Sequence, residues 1–295
     1  MYCFTATIRS AAAKTDPQQR PIDGHVIGYI PIEEGIEPVP NLLTPPEVTP
    51  ATPTDKGVPP LPRAPVKPGD PTVGRYVVRN DDPGFVAGVN AFWQGLAAGV
   101  GAAPWTDAQY YWAYPFEYTY GSNSFVNSVN VALTKGHGCP WQFTTLDACC
   151  DKVYINTTGG YGASAGGVLC YWIIHACEVI PSPDDTANWA DPWWNIFNGL
   201  RSVVGYRTVA YINDGVELYF GEDLNTQMGF VSTWLLVVHE ASAYSGNPTY
   251  FGCNGISHPM GRASAIAACG CEDGSVFDLD PVEPATCLTI FWYSD

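Results

Sequence analysis

Val129-Asn130-Val131-Ala132-Leu133-Thr134-Lys135-Gly136-His137-Gly138 and Val168-Leu169-Cys170-Tyr171-Trp172-Ile173-Ile174-His175-Ala176-Cys177 decide the fold. Each is a proline-free, β-prone apolar run, and each stops at a residue able to do chemistry. Glycines flank His137 on both sides, and a small alanine precedes Cys177. Strands joined by crossovers lie parallel, and open α/β sheets carry their sites at the carboxyl ends of such strands. A histidine and a cysteine there can form a thiolate–imidazole pair.

Working outward, helical and strand patterns alternate. Arg75–Arg79 reads as a strand. Asp82-Pro83 opens a helix whose apolar face is Phe85, Val86, Val89, Phe92, Trp93 and Leu96. Trp141–Leu146 and Lys152–Asn156 read as short strands around Cys149-Cys150. The glycine-rich segment 159–167 reads as a loop, and no Gly-Lys-Ser/Thr makes it a phosphate cradle. Ala190–Val204 is expected to be a helix, Arg207–Ile212 a strand, and Leu224–Ala243 one long helix. Thr286–Tyr293 is expected to be the last strand. The expected class is α/β with a mainly parallel sheet, formed by residues 73–295.

Residues 1–72 differ in kind. They hold fifteen of the twenty-six prolines, which favour extended polyproline structure. They read as a Pro-rich arm or linker with a possible strand at His25–Ile30; a pro-segment covering a site is the functional alternative.

Composition narrows the function. The chain is 46% hydrophobic and 14% charged, as a dense globular body requires. After residue 72 there are seven Lys/Arg against twenty-one Asp/Glu, a net charge of −14. Such a body repels nucleic acid and anionic membranes, so neither is expected as a partner. No apolar run approaches the roughly eighteen residues of a membrane span. Met1–Thr7 lacks the basic start and apolar block of a secretory signal. Ten cysteines exceed cytosolic habit, and Asn156-Thr157-Thr158 fits a glycosylation acceptor. Together these lean towards an oxidising, extracellular compartment. Cys149-Cys150 and Cys269-Gly270-Cys271 lack the paired spacing of a zinc site, so disulfides or buried thiols are expected there instead.

Competing chemistries are weaker. His239-Glu240 lacks the second histidine of a zincin helix, and His258 precedes a proline in an expected loop. Asp184-Asp185 and Asp278/Asp280 have no calcium-loop spacing and read as solvated acids. Ser164 lies in a Gly-x-Ser-x-Gly string, but a strand follows where a serine hydrolase would place a helix.

The two strand ends resemble those of the clan CD cysteine peptidases: caspases, metacaspases, legumains, gingipains and clostripain. Lys135-Gly136-His137-Gly138 looks like their histidine motif. His175-Ala176-Cys177-Glu178 looks like their nucleophile motif, closest to the legumain form. The separation of 40 residues is compatible with the roughly 50 of caspases. The resemblance implies a three-layer caspase-like fold, with His137 as general base and Cys177 as nucleophile. The amides of Gly138 and Cys177 would form the oxyanion hole, and His175 would lie at the specificity pocket. It implies a polypeptide substrate, with no cofactor and no metal. A histidine at position 175, with only Arg201, Arg207 and Arg262 following His137, leads us to expect a neutral or polar cleavage preference. Endopeptidase or transpeptidase activity is one functional expectation. A catalytically inactive caspase-like module that binds proteins is the other.

Overall fold

The strands that carry His137 and Cys177 at their ends belong to one nine-stranded sheet. A computed structural model of the chain describes residues 2–12, 23–30, 71–77, 83–98, 105–111, 113–145, 152–212, 215–226, 228–244, 248–253 and 255–294. In chain order the strands are β1 (Tyr2–Ala12), β2 (Asp23–Ile30), β3 (Thr72–Val77), β4 (Thr106–Tyr111), β5 (Val131–Lys135), β6 (Gly138–Cys139) and β7 (Gln142–Thr144). They continue with β8 (Lys152–Tyr154), β9 (Tyr171–His175), β10 (Ser202–Tyr206), β11 (Thr249–Phe251), β12 (Ser257–Pro259), β13 (Ala263–Ala268) and β14 (Cys287–Trp292). The helices are α1 (Pro83–Ala98), α2 (Val216–Asp223) and α3 (Phe230–Tyr244).

The main sheet has the order β2-β1-β14-β13-β10-β9-β5-β3-β4. From β4 through β10 all five strands run parallel, and the remaining four extend the sheet antiparallel. The protein is therefore an α/β fold with a mainly parallel central sheet. After β4 the chain crosses back over β3 to add β5 on its other side, so the strand order reverses at β3 and β5. Ligand sites of parallel sheets form outside the carboxyl ends of strands near such a reversal.

Alternation sends the two faces of each strand into different cores. Val131, Leu133, Tyr171 and Ile173 pack against Phe85, Val89 and Phe92 of α1, Phe220 of α2 and Trp234 of α3. Ala132, Trp172, Ile174 and Ala176 face the opposite layer, where Tyr118, Phe143, Tyr161, Trp193 and Phe197 cover them. Fully burying one such large side chain contributes about 1.5–3 kcal/mol, so both layers hold the sheet strongly. The second layer contains turns and short 3-10 segments rather than long helices.

Several expected elements change form. Residues 190–204 are not a helix. Pro192 interrupts the run, the 193 and 196 amides bond three residues back, and Gly199 adopts φ 108°. Ser202–Tyr206 then takes the strand place beside β9, while 207–212 becomes a loop. The long helix expected over 224–243 begins only at Phe230, because Leu224–Thr226 is a 3-10 turn that makes a break between α2 and α3. Buried Asn225 stabilises that break by donating to Leu96 O and Gly221 O. At the N-terminus, β1 pairs with β14 and β2 with β1, so these two stretches extend the main sheet. The Pro-rich segment 31–70 and Cys149-Cys150 lie outside the described residues. Among the described residues, no helix is long and apolar enough to cross a membrane.

Candidate functional site

Parallel pairing of β5 with β9 matches Lys135 to His175, with Leu133 matched to Ile173. Both chains then continue for two residues, which brings His137 and Cys177 to the same level of the sheet edge. The Gly136 N–H still donates to His175 O at 3.3 Å. Alternation directs Lys135 and His175 towards the helical layer, because both meet Glu217 of α2 there. His137 and Cys177 occupy the next positions of the same parity. Consistent with this, the Phe85 ring of α1 meets the His137 ring edge-on at 5.0 Å, and Cys177 packs against the helical-side core.

Gly138 is tied to this geometry by space. A Cβ there would lie 2.6 Å from Cys177 O, 2.8 Å from Ala176 Cβ and 3.1 Å from Cys177 N. The backbone carrying the expected oxyanion donors is therefore a close-packed pair. Gly138→Ala is expected to force the strand ends apart, at a cost of about 1–3 kcal/mol. Thermal unfolding should show that loss, and alkylation of Cys177 by iodoacetamide should change in rate.

The Cys177 side chain is partly buried and makes no disulfide. Burial pushes its pKa up. The backbone of Ala210 pulls the other way, the Glu178 charge raises it further, and the backbones of Cys177 and Gly138 lower it. The net direction is upward, so the resting group is a thiol, and attack on a substrate requires a base to accept its proton. Glu178, three residues past the end of β9, adopts φ 55°, a left-handed backbone conformation.

Below the two strand ends lies a buried charge cluster. Lys135 is 0% exposed, His175 2% and Glu217 2%. The Lys135 ammonium donates to Glu217 and, at 3.0 Å, to Ile212 O. The His175 Nδ1 lies 2.7 Å from Glu217 Oε1, and its Nε2 bonds Tyr211 O at 2.5 Å. Glu217 therefore ties β5, β9 and the loop that presents Ala210 to the cysteine sulfur. This corrects the specificity-pocket expectation for His175: both its nitrogens face acceptor oxygens inside the protein, and Tyr206 and Trp234 flank its ring. The cluster left a trace in the sequence. Lys135 closes the apolar run Val131–Leu133 and Thr134, and Glu217 is a single charge between Val216 and Leu218-Tyr219-Phe220.

A second unanticipated feature is the Cys139–Cys253 disulfide, with a Cα–Cα distance of 5.7 Å. It joins the residue after Gly138 to the β11–β12 hairpin. The Cys253 N–H donates to Glu178 Oε2 at 2.6 Å. Cys269 bonds Cys287, whereas Cys271 and Cys170 keep buried thiols. Asp184 and Asp185, expected to be solvated, are structural: the first accepts the Trp292 indole N–H at 2.7 Å, and the second pairs with Arg207 at 2.8 Å. Ser164 sits in an exposed 3-10 turn, and the His239 ring packs on Tyr293 at 4.9 Å.

Fold and site together define an α/β protein with a histidine and a free cysteine at the carboxyl ends of adjacent parallel strands. The chain belongs to the family described as a domain of unknown function, DUF6345, which matches residues 89–255. No curated protein matches the chain. Among solved structures it is similar to a secreted C11 cysteine protease from Bacteroides thetaiotaomicron, "iotapain", at 12% identity. That match has a TM-score of 0.45 and covers 68% of this chain and 67% of the other. A structure of a secreted C11 cysteine protease from the same organism, in complex with an irreversible peptide inhibitor, matches at 11% identity. Its TM-score is 0.38, and it covers 67% of this chain and 66% of that one.

Proposed function

We propose that this protein is a caspase-like cysteine peptidase acting on polypeptides, with Cys177 as nucleophile and His137 as general base. The observation that carries the reading is the β5–β9 register. With Lys135 opposite His175 and Gly138 packed against the cysteine backbone, residues 137 and 177 follow the ends of adjacent parallel strands, which supports pairing of the imidazole with the thiol. In the proposed reaction the Cys177 sulfur attacks the scissile carbonyl carbon while its proton passes to His137. The carbonyl oxygen becomes an oxyanion held by the Gly138 and Cys177 N–H groups. Collapse expels the amine, which takes the proton from His137, and leaves a thioester on Cys177. Water then attacks the thioester and its proton passes to His137. Collapse of that second intermediate frees the carboxylic acid and returns the proton to the thiol. An incoming amine in place of water gives transpeptidation.

The upward shift of the Cys177 thiol supports general-base activation over a preformed ion pair. The same shift is the observation favouring the second reading, a non-catalytic module that binds proteins. Incubation with a peptidyl acyloxymethyl ketone or epoxide, under reducing and calcium-supplemented conditions, separates the two. Covalent mass added at Cys177, absent from Cys177→Ala, is the expected result. An unlabelled Cys177 would leave the binding module.

A further inference from the structure

We propose that the hairpin of β11 and β12 is the substrate-reading element of the site, and that it selects an apolar side chain, aromatic or branched aliphatic. This rests on the peptidase reading of Cys177 and His137.

The turn of the hairpin, between β11 and β12, is fastened to the immediate chain neighbours of that pair. Cys253 is bridged to Cys139, its Sγ lies 3.5 Å from Gly138 O, and its N–H is held by Glu178. Gly252 is equally committed: a Cβ there would stand 1.9 Å from Glu178 Oε1. The bridge spans 114 residues of sequence, so it ties together parts of the chain that are far apart in the unfolded state.

The ribbon itself is exposed. Tyr250 is 60% exposed, Phe251 70% and Ile256 55%, half of the six large apolar side chains that stand open among the described residues. Tyr250 pairs with His258 and Phe251 with Ser257, so the two rings project from opposite faces of the ribbon. A ribbon of three residue pairs is at best marginally stable in water, and exposed apolar side chains do nothing to help it. Stapling such a ribbon beside a nucleophile makes sense if its rings meet a ligand. Residues 249–259 carry no Asp, Glu, Lys or Arg, although the body of the protein is strongly acidic. The Glu178 carboxylate at the turn is already occupied by the Cys253 N–H. The surface offered to a substrate next to the dyad is thus uncharged and apolar, which rewards a side chain of the same kind.

The test uses the full chain without reductant, so that the Cys139–Cys253 bridge persists. Peptidyl acyloxymethyl ketones carrying Phe, Leu, Ala, Asp or Arg at each of the positions preceding the ketone are compared by their rate of Cys177 labelling. The Tyr250→Ser/Phe251→Ser variant is measured beside wild type. Iodoacetamide serves as a reagent without side chains, and peptide mapping verifies the bridge. We expect Phe or Leu probes to label wild type about tenfold or more faster than Ala, Asp or Arg probes at one position. The variant should lose that preference with an unchanged iodoacetamide rate. Peptidyl labelling whose side-chain preference is the same in the variant overturns the hairpin inference and leaves the peptidase reading standing. Reaction with iodoacetamide but with no peptidyl probe overturns the peptidase reading, and this inference with it.

Discussion

Cys177→Ala is expected to abolish peptide cleavage, by at least about a thousandfold in kcat/KM, while changing the unfolding free energy by no more than about 1 kcal/mol. The activity loss follows from the absence of any other nucleophile at the joined strand ends among the described residues. Cys170 and Cys271 are buried, and Ser164 sits in a separate exposed turn. The small stability effect follows from the partial burial of Cys177 and its lack of a disulfide. His137→Ala should lose a similar factor, and the double mutant should lose little more, since groups that act as one unit are not additive. Cleavage assays on the three variants, with thermal melts alongside, check both statements. Losses that multiply in the double mutant would mean that the two residues act separately.

Glu217→Gln is expected to lower stability by about 3–5 kcal/mol, the cost of leaving buried charge without its partner. At the usual 2–4 °C per kcal/mol for a domain of this size, Tm should fall by roughly 10 °C. Lys135 and His175 both rely on this one carboxylate, and all three side chains are excluded from water. The effect carries a pH signature. Burial alone would raise the Glu217 pKa, but the charges of His175 and Lys135 outweigh it and hold the carboxyl well below its ordinary range. A depressed folded pKa means that the stabilisation is fully present above the unfolded value of about 4.3. It is lost as pH falls through the lower folded value. The Tm advantage of wild type over Glu217→Gln should therefore be constant near neutrality and shrink below about pH 4. An advantage that is the same at pH 3 and pH 7 would show that the carboxylate charge is not what holds the cluster.

Glu217 also connects the fold to the proposed chemistry. One carboxylate holds the residues two places before His137 and Cys177, and those two in turn bond Ile212 O and Tyr211 O of the loop whose Ala210 backbone meets the thiol. Loss of this anchor should therefore show in the Cys177 alkylation rate as well as in stability.

What the sequence determined by itself is local and periodic. The Val131–Lys135 and Tyr171–His175 strands, the helix opened at Pro83 and the Cys287–Trp292 strand were all legible. In each, side-chain alternation or helical spacing is set by the backbone period, whatever lies across from it. The same alternation correctly set Tyr171, Ile173, His175 and Cys177 on one side of β9. The two chemically able residues at strand ends were legible for the same reason. What only the tertiary structure decided depends on partners distant in sequence. Residues 190–204 have an apolar period that suits a helix, yet Ser202–Tyr206 is a strand because β9 and β13 lie open on either side of it. His175 has the right parity to line a pocket, but α2 brings Glu217 against it and closes that face. Cys253 meets Cys139 across 114 residues, a pairing that no spacing rule dictates. Strand period is a property of the chain, whereas burial of a charge and the choice of a disulfide partner are properties of the packed whole.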